Sequence, residues 1–182
     1  GPAALNVVIP QRKCINSSHQ VTGTARDAGL DRHAFRWSGA LVDITPLTGF
    51  PSPDAGGISI DDTGTVMGNY IRSAGTTQRC FINLSGGSVN STDIGGVGTR
   101  TVTGFSMSVK NQIICGTCDD GTPNDRAFRW NSVEGFQLID RIAGAFQFMG
   151  DCNSHGDIVG YDSNNIGWIW RGGTVYKLLD II

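Results

Sequence analysis

Charge is scarce in this chain. Lys, Arg, Asp and Glu make up 16% of its 182 residues, and the formal net charge is −2; a typical domain has about 25%. With no basic excess to neutralise phosphates, generic nucleic-acid binding is excluded. Long apolar runs are missing: no stretch of 18 or more apolar residues occurs, so no membrane span is expected. No stretch of ten or more residues has helical periodicity, which argues against helices. The sequence also lacks a G-x-S-x-G elbow, an HExxH pair and a phosphate-binding glycine loop, the local signatures of several enzyme classes. No targeting segment is visible. Gly1-Pro2 reads as the scar of a tag-removing protease, so the expected unit is a single domain over 3–182, excised from a larger chain.

Glycine is what the chain has in abundance, 26 of 182 residues, roughly twice the usual ~7%. An apolar content of 39% argues against disorder. Many glycines with few charges point to an all-β protein with many turns.

The order within that composition is a repeat. "RHAFRWSG" at 32–39 returns as "RAFRWNS" at 126–132, with weaker copies "RCFINLS" at 79–85 and "GWIWRG" at 167–172. The anchors Phe35, Phe81, Phe128 and Trp168 are spaced by 46, 47 and 40 residues. A polar motif precedes each anchor and closes on Gly23, Gly68, Gly116 and Gly160, spaced by 45, 48 and 44. A third element follows: "ALVDITPL", "SVNSTDIG", "GFQLIDRI" and "TVYKLLDI". One unit therefore reads as polar turn, strand, hairpin loop, aromatic strand, short turn, strand. In "HAFRW", His33, Phe35 and Trp37 share one face and Ala34 and Arg36 the other. A strand-only unit of ~40–48 residues has the period of a β-propeller blade. The last third element has nothing after it, and "LNVVIPQRKC" precedes the first polar turn. That offset predicts a four-bladed propeller closed by mixing N- and C-terminal strands in one blade. A segment of a larger propeller or an open solenoid is the alternative.

The pairing of "INSSHQVTG" or "IDDTGTVMG" with "HAFRW" resembles the HAF-repeat family of extracellular bacterial proteins. The resemblance covers nearly the whole chain and is closest in the first unit; Arg126, Cys80 and Asn83 depart from it. It implies export, hence a secreted or cell-surface location, and a propeller-like repeat. It brings no catalytic set.

Candidate chemistry lies in the loops. The five cysteines are odd in number, so at least one thiol is free or bridged to another chain. Cys115-x-x-Cys118 falls in a predicted strand, where residues three apart point to opposite faces and chelate poorly. Cys14 and Cys152 occupy equivalent places in units one and four, which suggests a disulfide if the protein is secreted; buried cysteines acting as small hydrophobes are the plainer expectation. The hairpin loops carry Asp27 and Asp31 in unit one, Asp119, Asp120, Asn124 and Asp125 in unit three, and Asp162, Asn164 and Asn165 in unit four. If the units are equivalent these loops lie on one side and could form a sugar-binding rim, or a calcium site at Asp119, Asp120 and Asp125. Tight-turn chemistry explains the same residues without a ligand. No other cofactor is indicated. Three functions follow: a non-enzymatic recognition domain of an exported bacterial or phage protein that binds a glycan or protein through its loops; a glycan hydrolase using two carboxylates, with Asp61, Asp62, Asp151 and Asp157 as candidates; or an assembly module with an exposed apolar patch.

Overall fold

The computed structural model describes residues 6–8, 13–46, 54–72, 77–84, 87–141 and 147–180. Among them the regular elements are strands, apart from two short 3-10 turns at Ser88–Asn90 and Leu178–Asp180. The strands form four antiparallel sheets of four, each in simple up-and-down order. The first sheet holds β1 (Asn6–Val8), β2 (Val21–Arg26), β3 (Arg32–Trp37) and β4 (Leu41–Asp43), and the second β5 (Ala55–Ile60), β6 (Val66–Arg72), β7 (Thr77–Asn83) and β8 (Ser91–Asp93). The third is β9 (Val102–Met107), β10 (Ile114–Cys118), β11 (Arg126–Asn131) and β12 (Gly135–Leu138), and the fourth β13 (Gln147–Cys152), β14 (Ile158–Asp162), β15 (Gly167–Arg171) and β16 (Thr174–Lys177). The chain divides into two compact units, each holding two of the four repeats: Gly1–Ile94, from here on unit one, and Gly95–Ile182, from here on unit two.

The repeat is thus a four-stranded sheet, as its period implies, but its phase differs from expectation. Each sheet consists of four consecutive strands. The segment before the first polar turn supplies β1, which pairs with β2, and "TVYK" supplies β16, which pairs with β15. Among the described residues no sheet mixes strands from the two ends. A hairpin to the neighbour in sequence satisfies each strand locally, with no long-range closure.

All four anchors are buried: Phe81, Phe128 and Trp168 completely, Phe35 nearly so. Full burial of one such side chain stabilises by about 1.5–3 kcal/mol. Each anchor is the cross-strand partner of a repeat glycine: Gly23↔Phe35, Gly68↔Phe81, Gly116↔Phe128 and Gly160↔Trp168. The ring lies over the bare Cα. A Cβ on Gly116 would stand 1.9 Å from the Thr103 carbonyl oxygen and 2.7 Å from the Phe128 ring. At Gly68 the same atom would meet the Gly56 oxygen at 2.4 Å, and at Gly160 the Phe148 oxygen at 2.3 Å. The carbonyls come this close where β5, β9 and β13 shift register against their neighbours, as a β-bulge does. Glycine, bulge and aromatic are therefore one device, which accounts for their shared period.

Within each unit the aromatic face of the later sheet packs on the opposite face of the earlier one. In unit one, Ala55, Ile60, Val66, Tyr70 and Phe81 meet Ala34 and Ile44. In unit two, Met149, Cys152, Ile158 and Trp168 meet Ile113, Cys115, Ala127 and Ile139. The arginine of "FRW" straps these layers together. Buried Arg36 donates to the Gly64 carbonyl at 3.1 Å, and Arg129 lies over the Trp170 ring at 5.4 Å. The polar turns add a second fastening. Asn16 donates to the Asp61 carbonyl at 2.8 Å, and Asn111 to the Ser154 carbonyl at 2.9 Å.

All five cysteines are free thiols, and the Cys14–Cys152 bridge expected from the repeat is not formed. Cys152 is buried in the core of unit two, with its thiol donating to the Ile113 carbonyl at 3.2 Å. Phe50 and Phe146, two aromatics outside the repeat, lie outside the described residues.

Candidate functional site

The polar turns and the hairpin loops cap opposite ends of the strands, and one local motif recurs at both. Asn16, Asp61 and Asn153 in the polar turns each accept hydrogen bonds from the amides two and four residues on. Asp27 and Asp162 do the same in the hairpin loops. This is the Asx turn, in which a side-chain oxygen replaces a backbone carbonyl. Asp27 and Asp162 are thus loop staples, and Asp162 is buried. Asn164 contributes its amide to that staple.

The unit-two acids are engaged by arginines. Asp119 accepts from Arg100 at 3.0 Å and from the Gly121 amide. Asp120 accepts from Arg141 at 3.0 Å and from Thr122. Burial pushes the Asp120 carboxyl up, but the Thr122 bonds and the Arg141 charge outweigh it and hold the group below the usual carboxylate range. Asp125 moves the other way, raised by burial and by the charges of Asp119 and Asp120. Arg141 also donates to Thr122 and to the Asn124 carbonyl. Among the described residues no three His, Cys, Asp or Glu side chains are placed to hold a metal ion. Of the residues expected at a calcium position, Asp119, Asp120 and Asp125, the first two have cationic partners.

The hydrolase candidates are hydrogen-bonded as well, with Asp61 Oδ2 buried and unpartnered. Asp61 staples its turn through Oδ1, Asp62 accepts from Ser17, and Asp151 accepts from Ser106 and the Cys152 amide. Asp157 binds Arg171 at 2.9 and 2.8 Å, and that arginine, with Asn153, holds its carboxyl below the usual range. His33, expected to pack beside Phe35, instead bonds Asp43 at 2.9 Å and lies 3.5 Å from Asp27.

A feature that sequence reasoning missed lies in unit one. Between the first and second sheets, at the hairpin-loop end, opens a cleft of about 500 Å³. Thr24, Arg26 and Arg32 form one wall, and Asn69, Tyr70 and Gln78 line the other. Gly56 and Ile58 contribute its apolar part. The sheets approach closely below it: a Cβ on Gly56 would stand 2.5 Å from Thr24 Oγ1, and one on Gly57 2.1 Å from Thr22 Oγ1. The cleft has a stiff back. Asp93 accepts from Tyr70 Oη at 2.6 Å and from Arg79 Nε and Nη2, both at 3.0 Å. Burial, then the bond to Asp93, raises the Tyr70 phenol well above its ordinary value, so it stays a hydrogen-bond donor. At the mouth, Arg32 grips Asp54 through both Nε and Nη2. Asp31, predicted as a rim residue, lines a smaller depression beside it with Arg26, Arg32 and Asp54. The two units differ here. By register, Thr24 and Arg26 after Gly23 correspond to Thr117 and Asp119 after Gly116. On that side of unit two, Gln147 is wholly buried and Arg141 is drawn in by Asp120.

Among the described residues no helix is long and apolar enough to cross a membrane. No family model and no curated protein matches the chain. Among solved structures it is similar to a triple arginine-to-alanine mutant of AofleA from Arthrobotrys oligospora, at 11% identity and a TM-score of 0.48. The match covers 87% of this chain and 52% of that one, so the chain spans about half the length of that structure.

Proposed function

We propose that this chain is a non-enzymatic recognition domain that binds a glycan in the unit-one cleft, as part of a larger exported or surface-associated protein with a propeller-like, HAF-type repeat. One observation carries the reading: a cleft of about 500 Å³ between strand walls, with an apolar floor and planar polar side chains, Arg26, Asn69 and Gln78, around it. Saccharides present vicinal hydroxyls at their edges and C–H patches on their faces, and amides and guanidinium groups meet the former in pairs. Walls made of strands hold such groups more precisely than loops do.

The test is a glycan array with the purified domain, then an NMR titration with the strongest binder. Saturable shifts at Thr24, Gly56, Asn69 and Gln78 are expected; shifts confined to unit two, or no saturable binding, refute the reading.

A second reading, an assembly module, is favoured by the outer face of the fourth sheet. Phe148 and Tyr161 stack there at 4.9 Å, and with Val159 and Tyr176 they stay about two-fifths exposed. The fitting occupant is a second copy of this chain, because an aromatic-anchored sheet face already covers the corresponding face of the first sheet in unit one and of the third in unit two. It predicts a sedimentation coefficient that rises with concentration; a constant value refutes it.

A further inference from the structure

The charges around the unit-one cleft narrow its ligand class, an inference that rests on the glycan reading. We propose that the cleft takes an anionic saccharide, one bearing a carboxylate or a sulfate, with its anion against Arg26. The acid that lines the cleft, Asp54, is held by Arg32 through both guanidinium edges. Arg26 lines the same cleft and forms no ion pair among the described residues. Asp31 lines the neighbouring depression with Arg26. Arg72, at the end of β6, also has no ion pair among the described residues and acts electrostatically on Tyr70. The cleft is therefore cationic on a chain whose net charge is −2.

Unit two carries different charges at the same end. The position of Arg26 is there Asp119, paired to Arg100 at 3.0 Å, and Arg141 is matched by Asp120. In unit one a cation, Arg26, stands at that position, with no ion pair among the described residues, and the cleft is open. A guanidinium engages a carboxylate or sulfate through two parallel N–H bonds and is desolvated more cheaply than an ammonium. Thr24, Asn69 and Gln78 line the same cleft, and Ile58 offers an apolar contact to the sugar face.

The experiment is isothermal titration with an oligogalacturonate, a heparin oligosaccharide and neutral oligosaccharides, the array's strongest neutral binder among them, at low and at physiological salt. Wild type is compared with Arg26→Ala and Arg26→Gln, whose melting must match wild type. An anionic ligand is expected to bind about 10-fold tighter than a neutral one, a charge-assisted pair's worth. The preference should shrink with salt and vanish in both variants. Binding of one anion type but not the other assigns carboxylate or sulfate. Equal affinity for neutral and anionic ligands, or a preference that survives Arg26→Ala, overturns the anionic class and leaves the glycan reading standing. No saturable binding of either kind removes both.

Discussion

Replacing Gly116 by alanine should be among the most damaging single-methyl changes in this protein. The added Cβ would lie 1.9 Å from the Thr103 carbonyl oxygen and 2.7 Å from Phe128 Cε1, where ordinary carbon contacts are about 3.5–4.0 Å. Neither neighbour can give way cheaply. Thr103 belongs to β9, which is paired to β10 at that point. The Phe128 ring is fully buried and stacked on Phe136 at 4.7 Å. Overpacking a core costs about 1–3 kcal/mol, and a collision with backbone belongs at or above the top of that range. About 3 kcal/mol would lower Tm by roughly 6–12 °C in a domain of this size. Gly87 is the control, since a Cβ there meets nothing within 4 Å; Gly87→Ala should be neutral or slightly stabilising, by up to ~1 kcal/mol. Urea unfolding followed by circular dichroism and tryptophan fluorescence compares the two. If Gly116→Ala and Gly87→Ala unfold within about 1 kcal/mol of each other, the glycine–aromatic device does not hold the sheet as described.

Three further outcomes are expected. Asp93→Ala leaves the buried Arg79 guanidinium without its bidentate partner and should cost about 3–5 kcal/mol, read as a drop in urea midpoint with Asp93→Asn in between. Asp125, whose pKa is raised by burial and two like charges, is destabilising once ionised and is relieved as pH falls through its raised pKa. Asp125→Asn should therefore be more stable than wild type at neutral pH, with the gap closing just above the ordinary Asp range of about 4; a gap that widens in acid contradicts the assignment. Asp157, depressed by Arg171 and Asn153, contributes stability that is present above the ordinary Asp range and lost as pH falls through its lowered pKa. Arg171→Met should flatten the acid limb of a Tm-against-pH curve, and an unchanged limb would remove the pair from the account.

The period of the chain and its four aromatic anchors were legible because each repeat solves the same packing problem with the same residue types. Gly68, Gly116 and Gly160 recur with Phe81, Phe128 and Trp168 because a ring must lie on a bare Cα. The phase of the repeat was not legible. A periodic sequence says how long a unit is, not which strand begins it, and β1 is only three residues, Asn6–Val8. The acidic loops were legible, and so was the turn chemistry of Asp27 and Asp162, but an Asp that staples its own turn looks the same in sequence as one that waits for a ligand. The cleft was hidden for a different reason. Arg32 and Asp54 are 22 residues apart, and Gly56 and Gly57 matter only through their approach to Thr24 and Thr22. Such neighbours are chosen by packing between sheets, which leaves no period to read.

The turn-to-turn bonds of Asn16 with Asp61 and of Asn111 with Ser154 join residues 45 and 43 positions apart, one repeat length. They sit at the strand ends away from the hairpin loops, so the fastening of one sheet to the next does not depend on the hairpin-loop residues. A lineage that duplicates this unit inherits the fasteners with every copy and can diversify residues 28–31 or 163–166, between the stapling aspartates and the next strand, independently. For protein engineering the same separation marks where foreign loops can be grafted and where the sequence should be left alone.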